Sequence, residues 1–387
     1  MAVRSLHNVG EDQYQHVWDN SVPPVLTVRP NEAVTLQTRD AGNDQIKPGD
    51  GVEAVVNLDF ARVNPISGPI AIEGARPGDV LQVDILGIET RPWGWTANIP
   101  GFGLLADEYP DPFLHIWELD HERGAAQFRP GINVPLDPFV GVIGVAPAEP
   151  GQHPTLPPRP VGGNMDIRFM RTGTTLYLPV AVENALFSLG DAHAAQGDGE
   201  VCGVAIETAA RVTVSFTLHR SFTLAYPAYD VAGAVVRRAQ ERGYHGTTGI
   251  GPDLMEAARD AVRGMISHLG RTRGLAPLEA YALCSVAADL KISEIVDAPN
   301  WVVSFFLPNN LFDAGPGPAA GGQAAARPAR SVARAAHAAR PARSRGRAYR
   351  RRRGDHRPGR KAAGGGRRPH HLRDRPDWPL CRGRQRQ

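Results

Sequence analysis

The sequence predicts a mostly β protein of the α+β class: a β-rich sandwich or barrel-like body with two late helices, followed by a disordered C-terminal tail. Three features carry that prediction. Short apolar runs bounded by glycine and proline fill the chain to about residue 225. One run, 211–218, alternates without a break. Helical periodicity begins only beyond residue 252.

Residues 25–28, 34–38, 80–88, 140–145, 176–182 and 201–206 are the strand-like runs, rich in Val, Ile and Leu and separated by turn formers. In 211–218, Val212, Val214, Phe216 and Leu218 alternate with Arg211, Thr213, Ser215 and Thr217, the period-two pattern of a half-buried strand. Lys47-Pro48-Gly49-Asp50 and Arg76-Pro77-Gly78-Asp79 are matching turn cassettes, in which Pro presets φ and Gly supplies the positive φ of a type II turn. A helix is predicted over 253–271, where Leu254, Ala258, Ala261 and Met265 recur at three- and four-residue spacing behind a Gly-Pro-Asp entry. A second runs over 277–288, and the apolar 301–307 reads as a closing strand stopped by Pro308.

The hydrophobic share of 42% and charged share of 21% suit a globular chain. The net charge of +3 conceals two regions of opposite sign. After Asp313 come 20 Arg, one Lys and three Asp, whereas residues 1–313 hold 22 basic and 37 acidic side chains. An acidic body repels nucleic acid and anionic membranes. Residues 1–313 are therefore expected to form the folded body. Residues 314–387, poor in branched aliphatics, bury too little apolar area to offset chain entropy and are expected to stay unfolded. Arginines 350–353 would attract phosphates, so any nucleic-acid contact is expected through the tail alone. Its abrupt switch to Arg, Ala, Gly and Pro better suits an extension or an out-of-frame stretch of GC-rich coding sequence. Cys202, Cys284 and Cys381 lie far apart and make no disulfide framework. No signal-like or membrane-spanning apolar run is present, and the cytoplasm is the expected compartment.

The densest group of reactive side chains is Gly190-Asp191-Ala192-His193-Ala194-Ala195-Gln196-Gly197-Asp198-Gly199-Glu200-Val201-Cys202-Gly203. Its spaced glycines disfavour a helix and let a loop bend so that Asp191, His193 and Glu200 face one centre. Carboxylates with imidazole suit a divalent metal, zinc first. For Asp198 and Glu200 the plainer reading is solvation of a tight turn, and for His193 a satisfied half-buried ring. Gly162-Gly163-Asn164-Met165-Asp166 lets backbone approach a ligand, with Asn164 available to a carbonyl oxygen and Asp166 to a metal. An Asx-stabilised turn explains that segment equally well. In Asn57-Leu58-Asp59 and Arg62-Val63-Asn64-Pro65, turn formation leads, with Asp59 as the residue of interest.

Together these segments resemble the acetamidase/formamidase family of amide hydrolases, over about residues 7–312. The resemblance implies hydrolysis of small linear amides such as formamide or acetamide to carboxylate and ammonia, a β-rich fold, a homo-oligomer and a divalent metal. Asn64 stands where relatives often carry His, and Val161 where a polar residue is common.

Amide hydrolysis needs a nucleophile, a proton for the departing nitrogen and an oxyanion stabiliser. Lysine-dependent serine or cysteine mechanisms are poorly served, because the body contains only Lys47 and Lys291. Cys202, two residues after Glu200, keeps a thiol route open. The metal-water route uses what the clusters supply: Asp166, Asp191 and His193 as ligands, Glu200 as base and acid, Asn164 polarising the carbonyl, and Asp198 as an added catalytic carboxylate. The other class of function is an inactive amidase-like scaffold whose arginine tail binds nucleic acid.

Overall fold

Alternating apolar side chains need a second apolar surface, and the chain supplies it with another sheet. The computed structural model describes residues 6–231, 243–296 and 298–313. In it a six-stranded sheet, with Ala33–Gln37, Ala210–His219, Val80–Thr90 and Thr174–Pro179 as neighbours, faces an eleven-stranded sheet. Val34, Leu36, Val83, Val212, Val214 and Phe216 from the first share one core with Ile70, Phe139, Ile143, Phe187 and Leu189 from the second. Phe187 and Phe216 meet edge to face at 5.0 Å. Ala210–His219 buries alternate residues, as its sequence pattern requires.

The centre of the larger sheet is Phe187–His193, which pairs with Phe139–Val145, Ile66–Ile72 and the two-residue strand Glu207–Thr208. Every residue of Phe187–His193 is buried. Next to Glu207–Thr208 lies Trp93–Asn98, and beyond it Phe113–Asp120.

A second core joins this end of the sheet to the helices. Leu254–Arg273 begins at Asp253, whose side chain accepts the Glu256 N–H, and ends at left-handed Gly274. Pro277–Ala287 has proline in its first turn and is buried on all sides from Ala280 onward. An antiparallel sheet of Tyr244–Gly251, Trp301–Pro308 and Asp289–Glu294 packs on the longer helix. Gly249 permits the contact, since a Cβ there would lie 1.9 Å from the Ala257 carbonyl oxygen.

The sandwich of strands with two late helices is as the sequence predicts, and no closed barrel forms among the described residues. Residues 201–206 are not a strand: Gly203 turns the backbone at φ 82°, and pairing starts only at Glu207. The expected loop from Gly190 is instead strand through His193. The short helix Val52–Val56 and the strands over 93–98, 113–120, 125–129 and 132–135 add to the predicted elements. The predicted tail lies outside the described residues. Replacing fully buried Phe216 by Ala is expected to cost about 3–5 kcal/mol through lost transfer energy and a cavity between the sheets. Urea unfolding measures it, and a loss below about 1 kcal/mol would contradict this account of the core.

Candidate active site

Strand register brings the candidate groups together. His193 lies opposite Glu207 in the sheet, and Glu207 lies opposite Trp95, so imidazole, carboxylate and indole come from three adjoining strands. Asn164 pairs with Val142 on the far side of Phe139–Val145. Asp166 follows the short strand Gly162–Asn164 in a left-handed turn at φ 48°. Gly141 makes the space: a Cβ on it would sit 2.6 Å from Asp166 Oδ1 and 2.9 Å from His193 Cε1. Asn64, Asp191 and Glu200 are also left-handed, at φ 46°, 56° and 41°. Such backbone is uncommon outside glycine and clusters where side chains must be aimed against local preference.

The imidazole is oriented by a chain of hydrogen bonds. Gln196 Nε2 donates to the Asp166 carbonyl at 2.9 Å, so its Oε1, 2.9 Å from His193 Nδ1, must accept the Nδ1 proton. His193 Nε2 then faces Glu207 Oε2 at 3.1 Å and Asp191 Oδ1 at 3.3 Å. Neither contact is aligned as a hydrogen bond. Phe139 meets the ring edge-on at 4.9 Å. Glu207 Oε1 accepts the Ala205 N–H, and Asn64 Nδ2 donates to Asp191 Oδ2 at 3.2 Å.

Burial disfavours ionised carboxylates, and these sit together. Desolvation and the Asp191 charge push Asp166 up to about 7. Desolvation, opposed by His193 and reinforced by Asp191, pushes Glu207 up to about 7. Glu200 is raised well above the usual carboxylate range by burial and by Asp166. Burial lowers His193, but Glu207 and Asp191 outweigh it and hold the imidazole well above its ordinary value.

The cluster fits a divalent cation. Asp166 Oδ1, Asp191 Oδ1, His193 Nε2 and Glu207 Oε2 are buried without hydrogen-bond partners. Ligand atoms of Asp166, Asp191 and His193 lie within 4.8 Å of one another, as do those of His193, Glu200 and Glu207. A cation or extra protons must balance such a group. Above it opens a cavity of about 170 Å³, whose floor carries Asn64, Asn164, Asp166, Asp191, Glu200 and Glu207 and whose walls are apolar.

Five of the six residues singled out from the sequence thus meet at this centre. Asp198 does not line the cavity. Its carboxylate pairs with buried Arg168, 2.9 Å from Nε, and Arg168 Nη2 lies 3.2 Å from Asp289 Oδ2. Arg168 thereby ties the segment after Asp166 to the loop before Glu200. Asp59 caps a 3-10 turn on the surface, accepting the Ala61 N–H. Cys202 is off the cavity and buried, its thiol between the Ala97 and Val204 carbonyls and pushed up to about 12 by burial. Lys47 and Lys291 are exposed. Sequence reasoning missed Glu207, whose only signal is an isolated acid at the end of an apolar run, and assigned Asn64 to turn chemistry.

Buried acids and an imidazole beneath an apolar cavity give the site the groups of a hydrolytic enzyme. The acetamidase/formamidase family model matches residues 4–153 and 148–314, and the chain belongs to that family, which makes it an amidase by class. It is 31% identical to an acetamidase of Mycolicibacterium smegmatis over 248 residues, a match spanning 48% of this chain and only 61% of that protein. It is 26% identical to a formamidase of Methylophilus methylotrophus, covering 78% of this chain and 90% of the relative. Among solved structures, a gamma lactamase from Delftia acidovorans superposes with a TM-score of 0.73 at 27% identity, covering 81% of this chain and 92% of that one.

Two outcomes are expected. Asp166 and Glu207 hold protons below about 7, so divalent-cation binding near pH 6 should release protons and near pH 8.5 release fewer. Calorimetry in buffers of different ionisation enthalpy measures this, and equal release at both pH values would contradict the assigned ligands. Gly141→Ala should weaken divalent-cation binding at least about tenfold by displacing Asp166 and His193. Unchanged affinity in a folded variant would show the space to be incidental.

Proposed function

We propose that the chain hydrolyses the carbon–nitrogen bond of small neutral linear amides, of the formamide and acetamide type, to a carboxylate and ammonia. The observation that carries this reading is the convergence of unpartnered atoms of Asp166, Asp191, His193 and Glu207, with the three carboxylates lining a cavity that also receives Glu200 and Asn164. The acetamidase and formamidase among its relatives support the substrate class.

Asp166, Asp191, His193 and Glu207 would hold a divalent cation, zinc by the nitrogen and oxygen donor set. Bound there, it would supply Lewis acidity, lowering the pKa of water and stabilising developing negative charge. The remaining steps belong to the chain. Glu200, raised by burial and half-buried at the cavity edge, accepts the proton of the attacking water and returns it to the departing nitrogen. Asn164 donates to the carbonyl oxygen as the tetrahedral centre forms. Gln196 holds His193 in the tautomer whose Nε2 faces the cluster. Asn64 fixes Asp191. The apolar walls keep bulk water from the reacting carbonyl.

A thiol mechanism is disfavoured by the sealed position of Cys202 and by its raised pKa. Asp198 is assigned to the Arg168 clamp and not to the chemistry. We place catalysis in residues 1–313, in a cytoplasmic homo-oligomer, and give residues 314–387 no part in it. No helix among the described residues is long and apolar enough to cross a membrane.

Glu200→Gln is expected to lower kcat on acetamide by about 10²–10⁴-fold with zinc content unchanged. Cys202→Ala should stay within about threefold of the parent, the range of a buried thiol acting only in packing. Near-parental activity in Glu200→Gln would remove the base assignment, and loss confined to Cys202→Ala would move the nucleophile to sulfur.

A further inference from the structure

The cavity above the carboxylates is built in two chemical halves. Its floor is acidic, while Val63, Trp95, Ile99 and Val204 form buried apolar walls and Phe60, Phe102 and Leu156 a less buried rim. No lysine or arginine lines it among the described residues. At about 170 Å³ it is close to the roughly 150 Å³ of an engineered apolar cavity that accepts benzene. Formamide has no carbon beyond its carbonyl and leaves those walls untouched.

Phe102 is fixed by the same loop that carries Glu200. It sits against Gly203, where a Cβ would lie 2.4 Å from Phe102 Cδ1, and Gly203 is itself left-handed at φ 82°. The next residues are pinned too. A Cβ on Gly103 would lie 2.8 Å from the Cys202 carbonyl oxygen, and the Leu104 N–H donates to Val201 at 2.9 Å. Phe60, at the start of the turn Phe60–Arg62, stands opposite, its ring 6.4 Å from Phe102 and inclined at 62°. Phe60, Val63 and Leu156 also border an outer pocket containing His16 and Thr155, so the apolar rim continues outward from the reaction cavity.

We propose that the Phe60–Phe102 pair is a specificity element that binds the acyl chain, and that the preferred substrates are neutral amides with an apolar acyl group of about three to five carbons. This inference rests on the amidase reading of the site. Burying each methylene is worth a factor of about four, so selectivity should climb with chain length until the cavity is full. An amide whose acyl chain ends in a carboxylate would bury that charge against apolar walls that offer no cation and is rejected.

The test is kcat/KM of the full zinc-loaded chain on formamide, acetamide, propionamide, butyramide and the monoamide of succinic acid, with Phe60→Ala, Phe102→Ala and the conservative Phe60→Leu. The expected result is a rise of roughly fourfold per added carbon to butyramide, with negligible turnover of the succinic monoamide. The butyramide-to-formamide ratio should fall at least about tenfold in either alanine variant, mainly through KM, and recover substantially in Phe60→Leu. Phe60 is partly exposed, so its variants keep the test usable should Phe102→Ala fail to fold. A parent enzyme that prefers formamide, or a ratio unmoved in a folded Phe60→Ala, overturns the proposal. If no amide is hydrolysed, the amidase reading fails separately. Tryptophan emission, reporting Trp95 in the wall, then decides the inference: tighter binding of butyramide than formamide supports it, and equal binding overturns it.

Discussion

The structure turns on a cluster of buried carboxylates that a single imidazole cannot balance by itself. Asp166, Asp191, Glu200 and Glu207 surround a single imidazole, and no arginine or lysine lines their cavity among the described residues. Ionised groups so placed repel one another strongly in a poorly hydrated interior. The raised positions of Asp166, Glu200 and Glu207 express desolvation and that repulsion, whereas His193 is raised by the attraction of Glu207 and Asp191, which outweighs the lowering effect of burial. The fold therefore holds a set of groups that favours a proton or a cation between them.

Holding such groups requires stiffness. Asn64, Asp166, Asp191 and Glu200 all take left-handed backbone, at a cost of roughly 1–2 kcal/mol for a residue with a side chain. The central strands around Phe187–His193 supply the opposing stability by near-complete burial. The buried helix Pro277–Ala287 backs the Glu200 loop. Its Tyr281 hydroxyl bonds the Val201 carbonyl, and its Ser285 hydroxyl donates to Val204 at 2.8 Å while accepting the Cys202 N–H at 3.2 Å. Arg168 joins the two site-bearing segments through Asp198 and Asp289.

What could be read from the sequence was what local chemistry determines. The alternation in 211–218 marks a real strand, and the spacing of Leu254, Ala258, Ala261 and Met265 a real helix. The density of acids, imidazole and glycine around 190–203 and 162–166 marked two segments that do meet. Glu207 escaped because its role comes from pairing with His193 across strands, a long-range fact with no local signature. Asn64 escaped for a related reason: Asn-Pro serves a turn, and its bond to Asp191 spans 127 residues of sequence. Asp198 sits in the densest acidic segment, yet its partner Arg168 stood in a stretch without any distinguishing pattern. The run 201–206 has the composition of a strand, but Gly203 and the carbonyl bonds to Tyr281 and Ser285 shape it as a turn.

The helix behind the Glu200 loop belongs to a different hydrophobic core from the sandwich. Asp191 and His193 are rooted in Phe187–His193, the central strand of the larger sheet, whereas Val201, Cys202 and Val204 pack with the helices. The cavity floor thus lies where two hydrophobic cores meet within one compact body. Because the helical core also takes in Trp95, Ala97 and Trp117 of the larger sheet, loosening it would shift the Glu200 loop and the neighbouring strands together, and the cluster's geometry would register that loss early.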